Sequence, residues 1–222
     1  MLRRNKYAIL LAALLCVILI QSFGERLLHP LLSDLAIMTT MLLVFLIVFE
    51  KRADRLVALM ILIITATTLA AYYVLSDGYP QLLVRLINHS AKLLMIGFAA
   101  LVILRNIFAQ RVVRADDVLG AVCGYLLAAG AWAHLFLLIE SCLPGSFSVS
   151  PGLSVGLDTW YGRVAILNNV SLASLTSIGS SGAVAVKPPA TILVSLEALF
   201  GQFYIAVVVA QLVGARLSQD RL

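Results

Sequence analysis

Apolar residues in this chain neither alternate nor keep to one helical face. They run on in blocks, each near the ~20 residues that cross a hydrocarbon core. Six such blocks stand out: about Tyr7 to Phe23, Leu35 to Phe49, Leu56 to Leu75, Ala91 to Phe108, Val118 to Ile139, and a last one from about 190 to 215. Polar punctuation separates them, including Glu50-Lys51-Arg52-Ala53-Asp54-Arg55, Ser76-Asp77-Gly78-Tyr79-Pro80, and Gln110 to Asp117. The fifth and sixth blocks are separated differently. A Gly/Ser/Pro stretch from Pro144 to Gly156 reads as too polar to be buried. A segment too short to span follows, ending in Thr176-Ser177-Ile178-Gly179-Ser180-Ser181-Gly182. Irregular backbone at membrane depth is tolerated only where protein or a wet cavity covers it. The pattern therefore predicts an all-α integral membrane fold: six transmembrane helices, with a re-entrant helix and loop between the fifth and sixth. It divides the chain into a four-helix region, 1–112, and a C-terminal region, 113–222. Within the latter, the pattern gives a helix at about 118–139, an external loop at 140–164, the re-entrant segment at 165–187 and a last helix at 190–215.

Composition sharpens the class. The chain is 62% hydrophobic and 12% charged, with mean hydropathy +1.03, which excludes an ordinary soluble domain and makes membrane lipids the expected surroundings. The net charge of +5 calls for no nucleic acid, because multi-span proteins collect Lys and Arg on the cytoplasmic side. With the N-terminus inside, eleven basic residues fall on inner segments (Arg3, Arg4, Lys6, Lys51, Arg52, Arg55, Arg105, Arg111, Arg114, Arg216, Arg221). Five fall on outer ones (Arg26, Arg85, Lys92, Arg163, Lys187). That asymmetry predicts a multi-pass protein of the cell membrane with both termini cytoplasmic. The basic start before Tyr7 resembles a secretory signal, but Gln21-Ser22-Phe23-Gly24-Glu25 offers no small-residue cleavage site; an uncleaved first span is expected.

Candidate chemistry is sparse. Cys16, Cys123 and Cys142 have no metal-ligand spacing; the first two read as small buried thiols, and no disulfide framework is implied. His29, His89 and His134 read as isolated, His134 either bonded within the helix bundle or proton-sensing. Neither G-x-S-x-G nor H-E-x-x-H occurs, so an enzyme is not expected. Glu140 reads as a solvated residue closing the fifth span. Glu197 lies inside the sixth, where an ionisable group is a functional candidate; a hydrogen bond to the re-entrant helix, through Asn168, Asn169, Ser171 or Ser174, is the plainer alternative. Gly120, Gly124 and Ala128 form a small-residue stripe of the kind that packs helices. Ala198, Ala206, Ala210 and Gly214 form another, which packs a helix or lines a pore. Lys187 either repels cations or snorkels to headgroups. Gln202 and Tyr204 face a cavity or another helix.

From about Val113 to Leu217 the chain resembles bacterial potassium-channel-like membrane proteins of the two-helix pore type. The residues that carry the likeness are VRADDVLGAVCGYLLAAGAWAHLFLLIESCLPGSF, read as an outer helix, and LEALFGQFYIAVVVAQLVG, read as an inner helix, in gapless register with the T-S-I-G-S-S-G turn. The resemblance implies a pore helix, a filter loop and passive conduction of monovalent cations, K+ or Na+, with no other cofactor. One loop cannot enclose a pore, so it further implies a homotetramer, in a bacterial inner membrane. Filters of this kind replace an ion's hydration shell with backbone carbonyls. Here Ser177 takes the position of the family's threonine, and Ile178 and Gly179 follow its pattern. Ser180 stands where the family has a bracing tyrosine, Ser181 where it has a second glycine, and Gly182 where it has an aspartate, so the filter is degenerate; a one-residue shift would let Gly182 act as the second glycine, in a longer loop. Thr176 precedes it, Glu197 would support it, and Gly201 would be the inner-helix hinge or a packing residue. Weak or altered potassium selectivity is expected; the alternative is a non-conducting structural or regulatory subunit. Ile96 to Leu104 carries no charge, which argues against a voltage sensor in the fourth span.

Overall fold

The computed structural model describes residues 6–27, 30–74, 79–109, 115–150, 157, 159–179 and 182–219, with the side chains of 22–27, 30–33, 79–81, 160–161 and 215–219 excepted. Among the described residues the regular structure is helical apart from one short strand pair. The order is α1 (Lys6–Leu27), α2 (Pro30–Val48), α3 (Arg52–Val74), α4 (Tyr79–Ala109), α5 (Ala115–Cys142), β1 (Phe147–Val149), α6 (Trp160–Leu175), β2 (Ala183–Ala185) and α7 (Pro188–Gln219). Four helices carry apolar stretches long enough to cross a membrane: Arg52–Val74, Leu82–Ala109, Ala115–Cys142 and Pro188–Gly214. Lys6–Gln21 and Asp34–Val48, the first two expected spans, are apolar but shorter.

One end of the bundle is tied by charge. Where α1 begins and α2 ends, Lys6 meets Glu50 at 2.7 Å; where α3 begins and α4 ends, Arg105 meets Asp54 at 3.1 Å. The Tyr7 amide donates to Asp116 in the first turn of α5, a position where a carboxylate also favours the helix dipole. Above this rim lies an apolar core of Tyr7, Leu10, Val44, Phe49, Met95, Ile103, Leu127, Tyr204 and Val208, with Phe49 stacked on Phe98 at 5.1 Å. A second core, around Phe136, Leu137, Phe147, Leu167, Val170, Ala183 and Ala190, joins the end of α5 to β1, α6, β2 and the start of α7. Leu56, Met60 and Ile63 of α3 are exposed, as helices facing hydrocarbon are.

Four expectations are corrected. The fourth span was read from Ala91, yet α4 begins at Tyr79; Asn88, His89 and Lys92 interrupt the apolar run but are buried inside the bundle. The helix expected from about 165 begins at Trp160, five residues earlier. The stretch from Pro144 is not wholly exposed, because Ser146 and Phe147 are buried and β1 pairs antiparallel with β2, Phe147 opposite Ala185. Cys16, read as buried, is exposed; Cys123 is buried.

Glu140 explains how the turn after α5 is made. Read as a solvated residue, it is 5% exposed. Its carboxylate accepts the backbone N–H groups of Gly145, Ser146 and Phe147 at 2.8, 2.9 and 3.1 Å. Three donors converging on one carboxylate form strong charge-assisted bonds. The Lys187 Nζ donates to the Pro144 carbonyl at 2.7 Å, so this lysine ties the start of α7 to the same turn. Glu140→Ala is expected to speed hydrogen exchange at Gly145, Ser146 and Phe147 by about 10–100-fold, matching the ~1.5–3 kcal/mol of a bond to a charged group. Exchange mass spectrometry on the detergent-solubilised protein measures it; unchanged rates would show that the strand pair holds the turn without the carboxylate.

Candidate functional site

The candidate site is built around the end of α6. Thr159 caps its start, accepting the Gly162 amide at 3.1 Å. The helix is 16 residues long, about 24 Å at 1.5 Å per residue, shorter than a ~30 Å hydrocarbon core. Its end lies deep beside its neighbours. Leu175 meets Tyr125, seventeen residues (142 − 125) from the end of α5 and about 26 Å along it. It also meets Gly201, thirteen residues (201 − 188) into α7, about 20 Å along. Ser171 bonds Glu197, Leu175 abuts Gly201 and Ser177 bonds Gln202, so α6 and α7 run in the same direction. Two consecutive parallel helices require the chain to travel back between them. It does so from Thr176 to Lys187, ending in β2 beside β1.

The turn at the deep end is a Schellman motif. The Ile178 amide donates to the Ala173 carbonyl at 2.9 Å, and the Ser177 amide to the Ser174 carbonyl at 2.9 Å. The left-handed position, usually glycine, is Ser177, with φ 56°. A serine there carries a steric cost of roughly 1–2 kcal/mol, and its hydroxyl recovers a partner by accepting from Gln202 Nε2 at 2.8 Å. Thr176 folds its hydroxyl back onto the Leu172 carbonyl. Gly179 and Gly182, with φ 102° and 87°, continue the irregular path. Ile178 is 82% exposed on the single chain. Ser180 and Ser181 lie outside the described residues.

Comparison with known proteins gives no match. No family model, no curated protein and no solved structure matches the chain. The site is therefore read from its own geometry.

Three side chains fix the deep end of α6. Tyr125 of α5 donates its hydroxyl to the Leu175 carbonyl at 2.7 Å. Gly201 lets that carbonyl approach so closely that a Cβ at Gly201 would lie 2.0 Å from the Leu175 oxygen. Glu197, fully buried, is hydrogen-bonded to Ser171; of its four expected partners, Ser171 bonds the carboxyl directly, while Ser174 donates to the Val194 carbonyl one turn away. Gln202 and Tyr204 both face other segments, Tyr204 donating to the Ala121 carbonyl at 2.8 Å. The small residues of α5 admit neighbours: a Cβ on Gly120 would crowd the Tyr7 ring at 3.1 Å, and one on Gly124 the Tyr204 hydroxyl at 2.7 Å. The stripe of α7 differs, with Ala206, Ala210 and Gly214 exposed on the single chain. A cavity of about 450 Å³ opens beside the loop, lined by Ser174, Ser177, Gly179, Val184, Val194 and Ala198 among others.

Sequence reasoning missed Tyr125, because one aromatic in an apolar run carries no distinguishing signal. It also read His89 and His134 as isolated. They meet across α4 and α5, Nδ1 to Nδ1 at 3.1 Å. No cluster of three or more His, Cys, Asp or Glu able to hold a metal occurs among the described residues.

Proposed function

We propose that the chain is a pore-forming subunit for passive conduction of monovalent cations, with α6 and the loop from Thr176 to Gly182 as a re-entrant pore segment and α7 as the inner helix. One observation carries the reading: α6 ends halfway along an apolar helix running the same way, and the chain returns to the end it came from. A helix that stops at mid-depth turns the negative end of its dipole toward the bilayer centre, where a cation gains most from it. The exposed Ile178, with the exposed Ala206, Ala210 and Gly214 of α7, leaves an apolar, small-residue face for further copies around a central axis. We take that assembly to be a homotetramer in the cell membrane.

The wide space beside the loop supports weak rather than stringent selectivity, since a loop that must replace a hydration shell has to be braced at ångström precision. A second reading, a non-conducting structural or regulatory subunit, draws on one contact. Gln202 occupies the Ser177 hydroxyl, the group the resemblance assigns to the inner ion site. Purified protein in liposomes, with empty liposomes as control, separates the two. Comparable potassium and sodium flux is expected. Potassium flux far above sodium would overturn the weak selectivity, and absence of both from a folded tetramer, with Gln202→Leu also silent, would favour the non-conducting subunit.

A further inference from the structure

The polar groups buried in the first five helices are absorbed by no part of the pore reading. His89 is 1% exposed and His134 7%. Their rings are tilted by 34°, with Nδ1 facing Nδ1 at 3.1 Å. Two imidazole nitrogens at that distance need one proton between them: one ring donates from Nδ1, while the other accepts there and carries its own proton on Nε2. The contact therefore fixes complementary tautomers on α4 and α5.

The pair also stands between two cavities. His89 lines one of about 20 Å³, with Asp34, Tyr72, Arg85, Asn88 and Lys92, room for a single water. His134 lines another of about 80 Å³, whose polar walls are Gln21, Thr40 and Asn168. Among the described residues lining the two cavities, the charged and titratable groups other than the pair come from three helices. α2 gives Asp34, which accepts the Tyr73 hydroxyl of α3 at 2.6 Å; α3 also gives Tyr72, beneath Arg85; α4 gives Arg85 and Lys92. The walls from α1 and α6 are neutral.

We propose that His89 and His134 form a proton-binding site that latches α4 to α5. One added proton leaves the contact intact, now as imidazolium Nδ1–H donating to a neutral Nδ1, a charge-assisted bond. A second leaves no acceptor and sets two like charges in contact, so the rings part. No atom is lost or gained beyond the protons taken from water. His134 shares its cavity with Asn168 and Leu172 of α6, so parting the rings is felt at the re-entrant helix.

The test uses the whole chain in lipid nanodiscs with 15N-labelled histidine and no ion flux, so it stands or falls apart from the pore reading. At neutral pH the wild type is expected to show a nitrogen–nitrogen coupling across the hydrogen bond, lost on acidification before the helices unfold. Emission of Trp132, two residues before His134, is read in a Trp160→Phe background. It is expected to shift with that loss in the parent and not in His89→Gln or His134→Gln. No coupling at any pH, or a coupling that survives until acid unfolding, overturns the site; the first readout needs no variant that must fold.

Discussion

Gly201→Ala is expected to destabilise the protein by about 1–3 kcal/mol or more, the range for forcing a group into packed space. The added Cβ would meet the Leu175 carbonyl oxygen at 2.0 Å and its carbon at 2.9 Å. Backbone at the end of a helix cannot swing aside as a flexible side chain can. The α6 terminus must withdraw, straining the Tyr125 bond to the same carbonyl and the neighbouring Gln202–Ser177 bond. The sign of the effect distinguishes two roles for this glycine. At a hinge with open surroundings, alanine would stabilise the helix by up to about 1 kcal/mol and alter only the opening motion. At a close approach it lowers stability outright. Gly214→Ala is the control, because nothing lies within 4 Å of its added Cβ, and it should be neutral or slightly stabilising. Thermal unfolding of both variants in one detergent measures the difference. Gly201→Ala as stable as Gly214→Ala would return Gly201 to the hinge role.

The same helix shows where sequence reading succeeds and where it stops. Length and hydropathy located α3, α5 and α7, because a continuous apolar run has few alternatives to a membrane helix. They misplaced the start of α4, because Asn88 and His89 look like a flank when each is judged alone. In the fold Asn88 reaches the Thr65 carbonyl and Thr68 hydroxyl of α3, and His89 meets His134 of α5. Glu140 was misread for a related reason: its three donors come from the turn that follows it, and the strand pair that closes the turn joins segments far apart in sequence. The turn at Thr176 to Gly182 was visible as a break in hydrophobicity. Its conformation was not, since a serine at a left-handed position looks like any other serine until Gln202, a turn beyond Glu197, is seen to hold it.

Glu197→Gln is expected to leave the fold nearly unchanged, while Glu197→Ala costs about 2–4 kcal/mol, the range for emptying a buried site. The contrast follows from hydrogen counting. The Ser171 hydroxyl lies 2.7 Å from the Ala129 carbonyl and also bonds Glu197 Oε1. A hydroxyl has one hydrogen. If it goes to the Ala129 carbonyl, which can only accept, the bond to Glu197 requires the carboxyl to donate, and the group carries its proton. The other oxygen, Oε2, is buried with no partner among the described residues; an ionised carboxylate so placed would carry a large desolvation cost, which a neutral acid largely avoids. Glutamine reproduces the donor, its Nε2 hydrogen reaching Ser171 and preserving the chain from α7 through α6 to α5. Alanine removes the link and leaves a void behind α6. Infrared difference spectra on Glu197→Gln would show loss of a protonated carboxyl band, and thermal unfolding would rank the variants. A Glu197→Gln protein as unstable as Glu197→Ala would mean that the charge itself, rather than the donated proton, holds α6 against α7.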